Sequence, residues 1–252
     1  MTRTTLGALA ITLACLAAPA LAQYTPLFVI PVESASNVTL PAGTAARVRL
    51  TGTDATLGTA LGVKAPDGAM AFEYIIDAYP QLQSQESRTW LEPTFVIDFD
   101  EPVFAELQTA MKEQNVGAER EALIAFVDRF IDKKSPRGWD LASTVARRRE
   151  GDCTEHAVLT AALARMQGQP ARVVVGLALI SQGTDHQAFG HAWTEMLEGG
   201  KWVVADAALR DHTHVVRHLP LSLIEDEGVG YQMALVGAAR RWIQRVEVLD
   251  AK

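Results

Sequence analysis

Cysteine is almost absent from this sequence: Cys15 and Cys153 are the two in 252 residues. Cys15 falls in an N-terminal stretch that reads as a targeting signal. One thiol, Cys153, is therefore expected in the mature chain, with no intrachain partner. An exported chain usually pairs its cysteines or loses them, because its compartment is oxidising. A leftover thiol is then either buried and inert or reactive. Long apolar runs are also missing. Leu6 to Leu16 is apolar but too short to cross a bilayer, and no later stretch has the length and apolarity of a transmembrane helix. Basic charge is scarce: 23 Lys and Arg stand against 30 Asp and Glu, for a net charge of −7. The one basic run is Arg147-Arg148-Arg149, which argues against a nucleic-acid partner. No internal repeat or low-complexity tract is visible.

What is present begins with the signal. Arg3 supplies a positive start, the apolar run follows, and Ala20-Leu21-Ala22 is a small-residue cleavage site, so cleavage is expected before Gln23. A lipoprotein reading on Cys15 is weaker, because Thr12-Leu13-Ala14 poorly matches a lipobox. The reading is of an exported chain, periplasmic or secreted. Removing residues 1–22 leaves 230 residues, enough for one large domain or one domain with a smaller partner. The removed segment carries one arginine and no acid, so −7 becomes −8. The expected division is signal peptide 1–22, a β-rich N-terminal region 23–101 and a catalytic domain 102–252.

Residues 24–100 read as mostly extended. Ala46 to Leu50 alternates as a half-exposed strand does, Thr94 to Phe99 is a further strand candidate, and Met70 to Tyr79 is ambiguous between strand and helix. Helical spacing begins after Pro102, with Phe104, Leu107 and Met111 on one face. A second helix is expected from Ala118 to Lys134, its stripe made of Leu123, Phe126, Val127 and Phe130. A short helix from Asp140 to Arg149 leads into the key stretch, Gly151-Asp152-Cys153-Thr154-Glu155-His156.

Asp152 is a good N-cap, and Glu155 three residues later completes a capping-box pattern. Val158, Ala162, Leu163 and Met166 continue the helix, and Gly168 and Pro170 stop it. A helix over about 153–167 places Cys153 in its first turn. There, unpaired amides and the positive end of the helix dipole favour a thiolate. Asp152 and Glu155 oppose it, so a cationic neighbour is needed.

Downstream, Ala171 to Ile180 reads as a buried strand, Ser181 to Gln187 as a polar loop, and Gly190–Leu197 with Lys201–Ala207 as a hairpin around Gly199-Gly200. A two-residue loop sets Glu198 opposite Lys201 and Leu197 opposite Trp202. His191 and Asp206 then share a sheet face, within reach of each other. A three-residue loop would separate them. A carboxylate on one ring nitrogen fixes the imidazole tautomer and leaves the other nitrogen for a thiol. The plainer alternative is a packed histidine and a packed aspartate. The enzymatic reading requires sulfur, imidazole and carboxylate to converge at one accessible cleft, with His191 kept off the far side of the sheet.

Gly151-Asp152-Cys153-Thr154-Glu155-His156-Ala157, Gly190-His191-Ala192-Trp193 and Trp202-Val203-Val204-Ala205-Asp206 resemble the three motifs of the transglutaminase-like superfamily. Gly168 to Val174 is similar to the family's link from the cysteine helix to the first core strand. The resemblance covers roughly residues 102–210. It implies an α+β, papain-like core, with the cysteine on a helix packed against an antiparallel sheet, preceded here by a smaller β-rich region. It implies Cys153 as nucleophile, His191 as general base and acid, and Asp206 as the residue orienting it. The Cys153 backbone amide would be one oxyanion donor, and Trp139 is the candidate for a second. Two departures are visible. Ala207-Ala208 follows the acid where many relatives have a proline. The chain is also too short for the β-sandwich domains and calcium sites of the animal cross-linking enzymes, which weakens any inference of calcium dependence; no cofactor is expected.

Two other clusters of polar residues stand out. His212, His214 and His218 would share one strand face, a geometry a metal could use, but no cysteine or carboxylate set accompanies them. Asp98, Asp100 and Glu101 read as a helix-start cluster rather than a calcium loop. The expected function is acyl transfer from peptide or glutamine-type amides of a peptide or protein substrate, with hydrolysis favoured over cross-linking. The alternative is a non-catalytic module that keeps the fold to bind proteins or cell-wall peptides.

Overall fold

A computed structural model describes residues 29–35, 37–53, 57–58, 61, 70–76, 79–82, 87–134, 140–210, 214–224, 227–230 and 243–251. The expected signal segment, Trp139 and His212 lie outside these residues. The fold is mixed, with helices and two larger antiparallel-rich sheets. Four α-helices are described: α1 (Val103–Glu113), α2 (Arg120–Phe130), α3 (Ala142–Arg148) and α4 (Cys153–Met166). Eleven strands are described. Six precede α4: β1 (Val29–Ile30), β2 (Val32–Ser34), β3 (Ala46–Gly52), β4 (Ala71–Ile76), β5 (Lys133–Lys134) and β6 (Glu150–Gly151). Five follow it: β7 (Ala171–Gln182), β8 (Asp185–Glu198), β9 (Lys201–Ala205), β10 (Val215–Leu223) and β11 (Ile243–Ala251).

The first sheet runs β1-β8-β7-β10, with β9 also on β8; every pairing in it is antiparallel. Strand β8 is long, so its outer edge serves two partners: β1 at Ala188–Phe189 and β9 at Thr194–Glu198. The second sheet runs β2-β11-β3-β4. It joins strands from near both ends of the chain, because β11 lies between β2 and β3. Its exposed side is a ladder of Arg47, Arg49, Glu73 and Glu247, of the surface kind that contributes little to stability.

Helix α4 is buried on all sides from Cys153 to Arg165. Its run of Ala, Val and Leu suits a helix with no exposed face. One side meets β7 and β8, where the Thr194 hydroxyl donates to the Ala157 carbonyl at 2.6 Å; the other meets α2 and α3. Its far end is clamped by Arg165, which donates to Glu227 at 2.6 and 2.8 Å and to the Ala171 and Glu92 carbonyls.

Most expected elements are present, with shifted ends. Phe104, Leu107 and Met111 are the buried face of α1. Two expectations fail. Thr94 to Phe99 is not a strand: Val96 and Ile97 are buried, but Thr94 bends back on Ile97, and Asp98 accepts from the Ser143 amide and hydroxyl at 2.7 and 2.6 Å. A short acid there caps α3, and the local side-chain bonds displace a ladder. Ser181 to Gln187 is not a loop either. The strands continue through it to a tight turn at Gly183-Thr184, because Ser181 and His186 pair across the hairpin at 3.0 Å.

Central strand β7 is narrow where the site lies. A Cβ on Gly176 would sit 2.1 Å from the Leu219 carbonyl oxygen and 2.7 Å from the Trp193 ring. Gly176→Ala is therefore expected to destabilise the fold by about 1–3 kcal/mol, the usual cost of overpacking a dense core, and so to lower the urea-unfolding midpoint. An unchanged midpoint would show that the strand tolerates the extra atom.

Candidate active site

Cys153 opens α4. The Asp152 carboxylate accepts from the Thr154 amide at 3.0 Å, and Glu155 accepts from the Asp152 amide at 3.0 Å, so the capping box forms. Glu155 also accepts from the Asp140 amide at 3.2 Å. His156 Nδ1–H donates to the Asp152 carbonyl at 2.6 Å. Burial, and next the Asp152 charge, push the Glu155 carboxyl up to about 7. Near neutrality this acid is thus partly uncharged, which softens the negative field beside the sulfur.

Gly199 and Gly200 have φ of 56° and 78°, the paired positive values of a two-residue type I′ turn. Glu198 faces Lys201 and Leu197 faces Trp202, and the ladder ends at Thr194–Ala205. The next residue, Asp206, leaves the ladder and meets His191, whose Nε2–H donates to Asp206 Oδ2 at 2.7 Å. Asp206 Oδ1 accepts the Ala208 and Leu209 amides at 3.0 and 3.1 Å. Of these two donors only the Ala208 amide lies within the Ala207-Ala208 departure, and a proline at 208 could not supply it.

Nε2 being engaged by Asp206, Nδ1 is the ring nitrogen left for Cys153. Cys153 is near enough to act on the imidazole and favours its protonated form. Burial by itself would depress the His191 pKa, but the Asp206 charge and hydrogen bond and then Cys153 outweigh it, pushing it up to about 10. The Asp206 carboxyl, despite its burial, is held far below the usual carboxylate range, by the His191 charge and hydrogen bond first and His218 second.

Two features differ from the expected picture. Thr194 faces the body of α4, and His191, three residues away on β8, belongs to the opposite row with Trp193 and Glu195. His191 therefore springs from the far face of the sheet, and it meets the sulfur only at the N-terminal tip of α4. The sulfur is also not in an open cleft: Cys153 and His191 have no exposed surface.

His218 on β10 was missed as a partner of the acid. Its Nε2–H donates to the same Asp206 Oδ2, also at 2.7 Å. Gly176 and Ala178 on the intervening strand carry little or no side chain, so the two imidazoles approach across it to 5.9 Å between ring centres. Trp193 lies 5.9 Å from His191 and 5.0 Å from His218. Its indole N–H donates to Tyr79, whose hydroxyl donates to Glu195, which in turn pairs with Arg172. The periodic H-x-H-x₃-H spacing pointed at His218 but suggested a different set of partners. His191, Asp206 and His218 place three metal-type donor atoms within 4.8 Å of one another. Both imidazole N–H groups are spent on the carboxylate, so the set is satisfied as a hydrogen-bonded cluster. A cavity of about 440 Å³ lined by Tyr79, Val204, Val216, Arg217 and His218, among others, borders this cluster.

Residues 105–207, less than half of the chain, match the family model described as the Transglutaminase-like superfamily. No curated protein matches the chain. Among solved structures, a provisionally assigned cysteine protease from Cytophaga hutchinsonii is similar at 22% identity over 56% of this chain and 47% of that one, with a TM-score of 0.41. The periplasmic domain of TgpA from Pseudomonas aeruginosa, bound to ethylmercury, is similar at 21% identity over 58% of this chain and 59% of that one, with a TM-score of 0.37. The chain thus spans about half the length of the structures it matches. Among the described residues, no helix is long and apolar enough to cross a membrane.

The raised His191 pKa sets a sign for stability. An imidazole unfolded near 6.5 and folded near 10 contributes stability that is complete below pH 6.5 and is lost as pH rises toward 10. The denaturation midpoint of the wild type should fall across that window, and His191→Gln should flatten the profile. Equal slopes in both proteins would contradict the charged assignment.

Proposed function

We propose that this protein is an exported thiol enzyme of the transglutaminase-like kind, which transfers acyl groups from peptide or glutamine-type amides and passes them to water in preference to an amine. The observation that carries this reading is the His191–Asp206 hydrogen bond at 2.7 Å, with Cys153 near enough to favour the protonated imidazole. The signal-like segment at residues 1–22 supports export; the β-rich stretch before residue 102 is read as an accessory region that shares sheets with the catalytic part, since β1 pairs with β8 and β11 lies between β2 and β3.

In the first step the Cys153 thiolate attacks the amide carbonyl. His191, held as imidazolium by Asp206, gives its proton to the departing ammonia or amine, and an acyl-thioester remains. In the second, His191 takes a proton from water and the oxygen adds to the thioester carbonyl. The acid then leaves, and thiolate and imidazolium are restored. The Cys153 amide is the oxyanion donor on this reading, with Trp139 the candidate for a second.

The burial of the sulfur, and an imidazole that springs from the sheet face away from α4, favour a second reading: a module that retains the fold for binding, with Cys153 a packed thiol. Chemistry separates the two. On glutamine-containing peptides, ammonia release should exceed incorporation of a fluorescent amine. Cys153→Ala should abolish both, and His191→Ala should reduce turnover about 10²–10⁴-fold, the range for a lost general acid–base. Iodoacetamide should label Cys153 in the wild type and far more slowly in His191→Ala. A thiol that is inert in the native protein, with neither product on any peptide tried, would favour the binding module.

A further inference from the structure

The chemistry above leaves His218 without a task. We infer that His218 is a positioning residue that sets the strength of the Asp206–His191 pair through the carboxylate oxygen they share, a role that rests on His191 being the group that serves Cys153.

A carboxylate offers about four acceptor positions. In Asp206 all four are filled, Oδ1 by the Ala208 and Leu209 amides and Oδ2 by the two imidazoles. The carboxylate plane cannot turn without breaking a bond. The amides fix one oxygen, and His218 fixes where the other sits relative to His191. His218 is itself held: Trp193 lies against it edge-on at 5.0 Å, and the strand carrying it is zipped to β7.

There is an electrostatic consequence as well. Among the described residues, the titratable groups facing His191 include Asp206, His218 and Cys153. Those facing His218 are Asp206 and His191, with Tyr79 and Arg217 on the cavity it borders. A second donor on Oδ2 draws off part of the charge that His191 would otherwise receive alone. Removing that donor raises the proton affinity of His191, whichever protonation form His218 takes, because a lost neutral donor and a lost cation act in the same direction. A His191 that grips its proton harder surrenders it less readily to the leaving amine. His218 thus keeps Asp206 from over-stabilising the imidazolium.

Two variants separate donation from packing. His218→Phe keeps a ring against Trp193 but has no donor. His218→Gln carries an amide N–H that can reach Asp206. With ¹⁵N-labelled histidine, the ring titration of His191 should move to higher pH in His218→Phe, and its Asp206-bonded proton should shift downfield. Both readings should return toward wild type in His218→Gln. On a substrate, kcat should fall about tenfold in His218→Phe, the scale of one charge-assisted hydrogen bond, and recover in His218→Gln. An unchanged His191 titration in a folded His218→Phe protein, or a glutamine variant indistinguishable from phenylalanine, would overturn the assignment. The spectra need no substrate, so they decide the role of His218 even if no turnover is found. Intact turnover with unchanged spectra would reject His218 alone and leave the acyl-transfer reading standing.

Discussion

Three separate pieces of the chain are fastened together at the carboxylate of Asp206. It follows directly on β9, it binds an imidazole from β8 and another from β10, and it folds its own downstream backbone into a turn. A buried carboxylate without such partners would be too costly to keep ionised. With four donors it stays charged, and the charge it keeps is what holds His191 protonated in a dry interior. The geometry of the thiol–imidazole pair is therefore set by how strands β7 to β10 pair, not by the helix alone.

That pairing depends on small residues as much as on large ones. Gly176 and Ala178 open a shallow trough on β7, and His191, Trp193 and His218 close over it from both sides. Beyond Trp193 the same sheet face continues into Tyr79, Glu195 and Arg172, whose guanidinium lies 4.0 Å from the Trp202 ring centre. Buried ion pairs of this kind add little net stability, yet breaking one leaves an uncompensated charge. On the other face, α4 meets a row of Ala, Thr and Met side chains, so the helix start is fixed in depth against the strands.

Much of this was legible in the residues. Asp152 and Glu155 announced the start of α4, and Gly199-Gly200 announced a two-residue turn whose parity brought His191 and Asp206 to one face. Both signals are local, because a cap and a turn need only a few neighbouring groups. Thr94 to Phe99 misled for the opposite reason: its apolar alternation looks like a strand, but Asp98 is occupied with the start of α3, more than forty residues away. Ser181 to Gln187 looked like a loop because its polar side chains satisfy one another across a hairpin.

By itself the sequence determined the elements around the thiol, their order, and the parity that pairs His191 with Asp206, since capping, turn chemistry and alternation act over a few residues. Only the tertiary structure decided that His218 shares the acid, that β11 joins the strands near the other end of the chain, that His191 rises from the sheet face away from α4, and that the sulfur is covered. Those outcomes rest on strand order and on what lies above the site, and side chains distant along the chain leave no local mark of meeting in space.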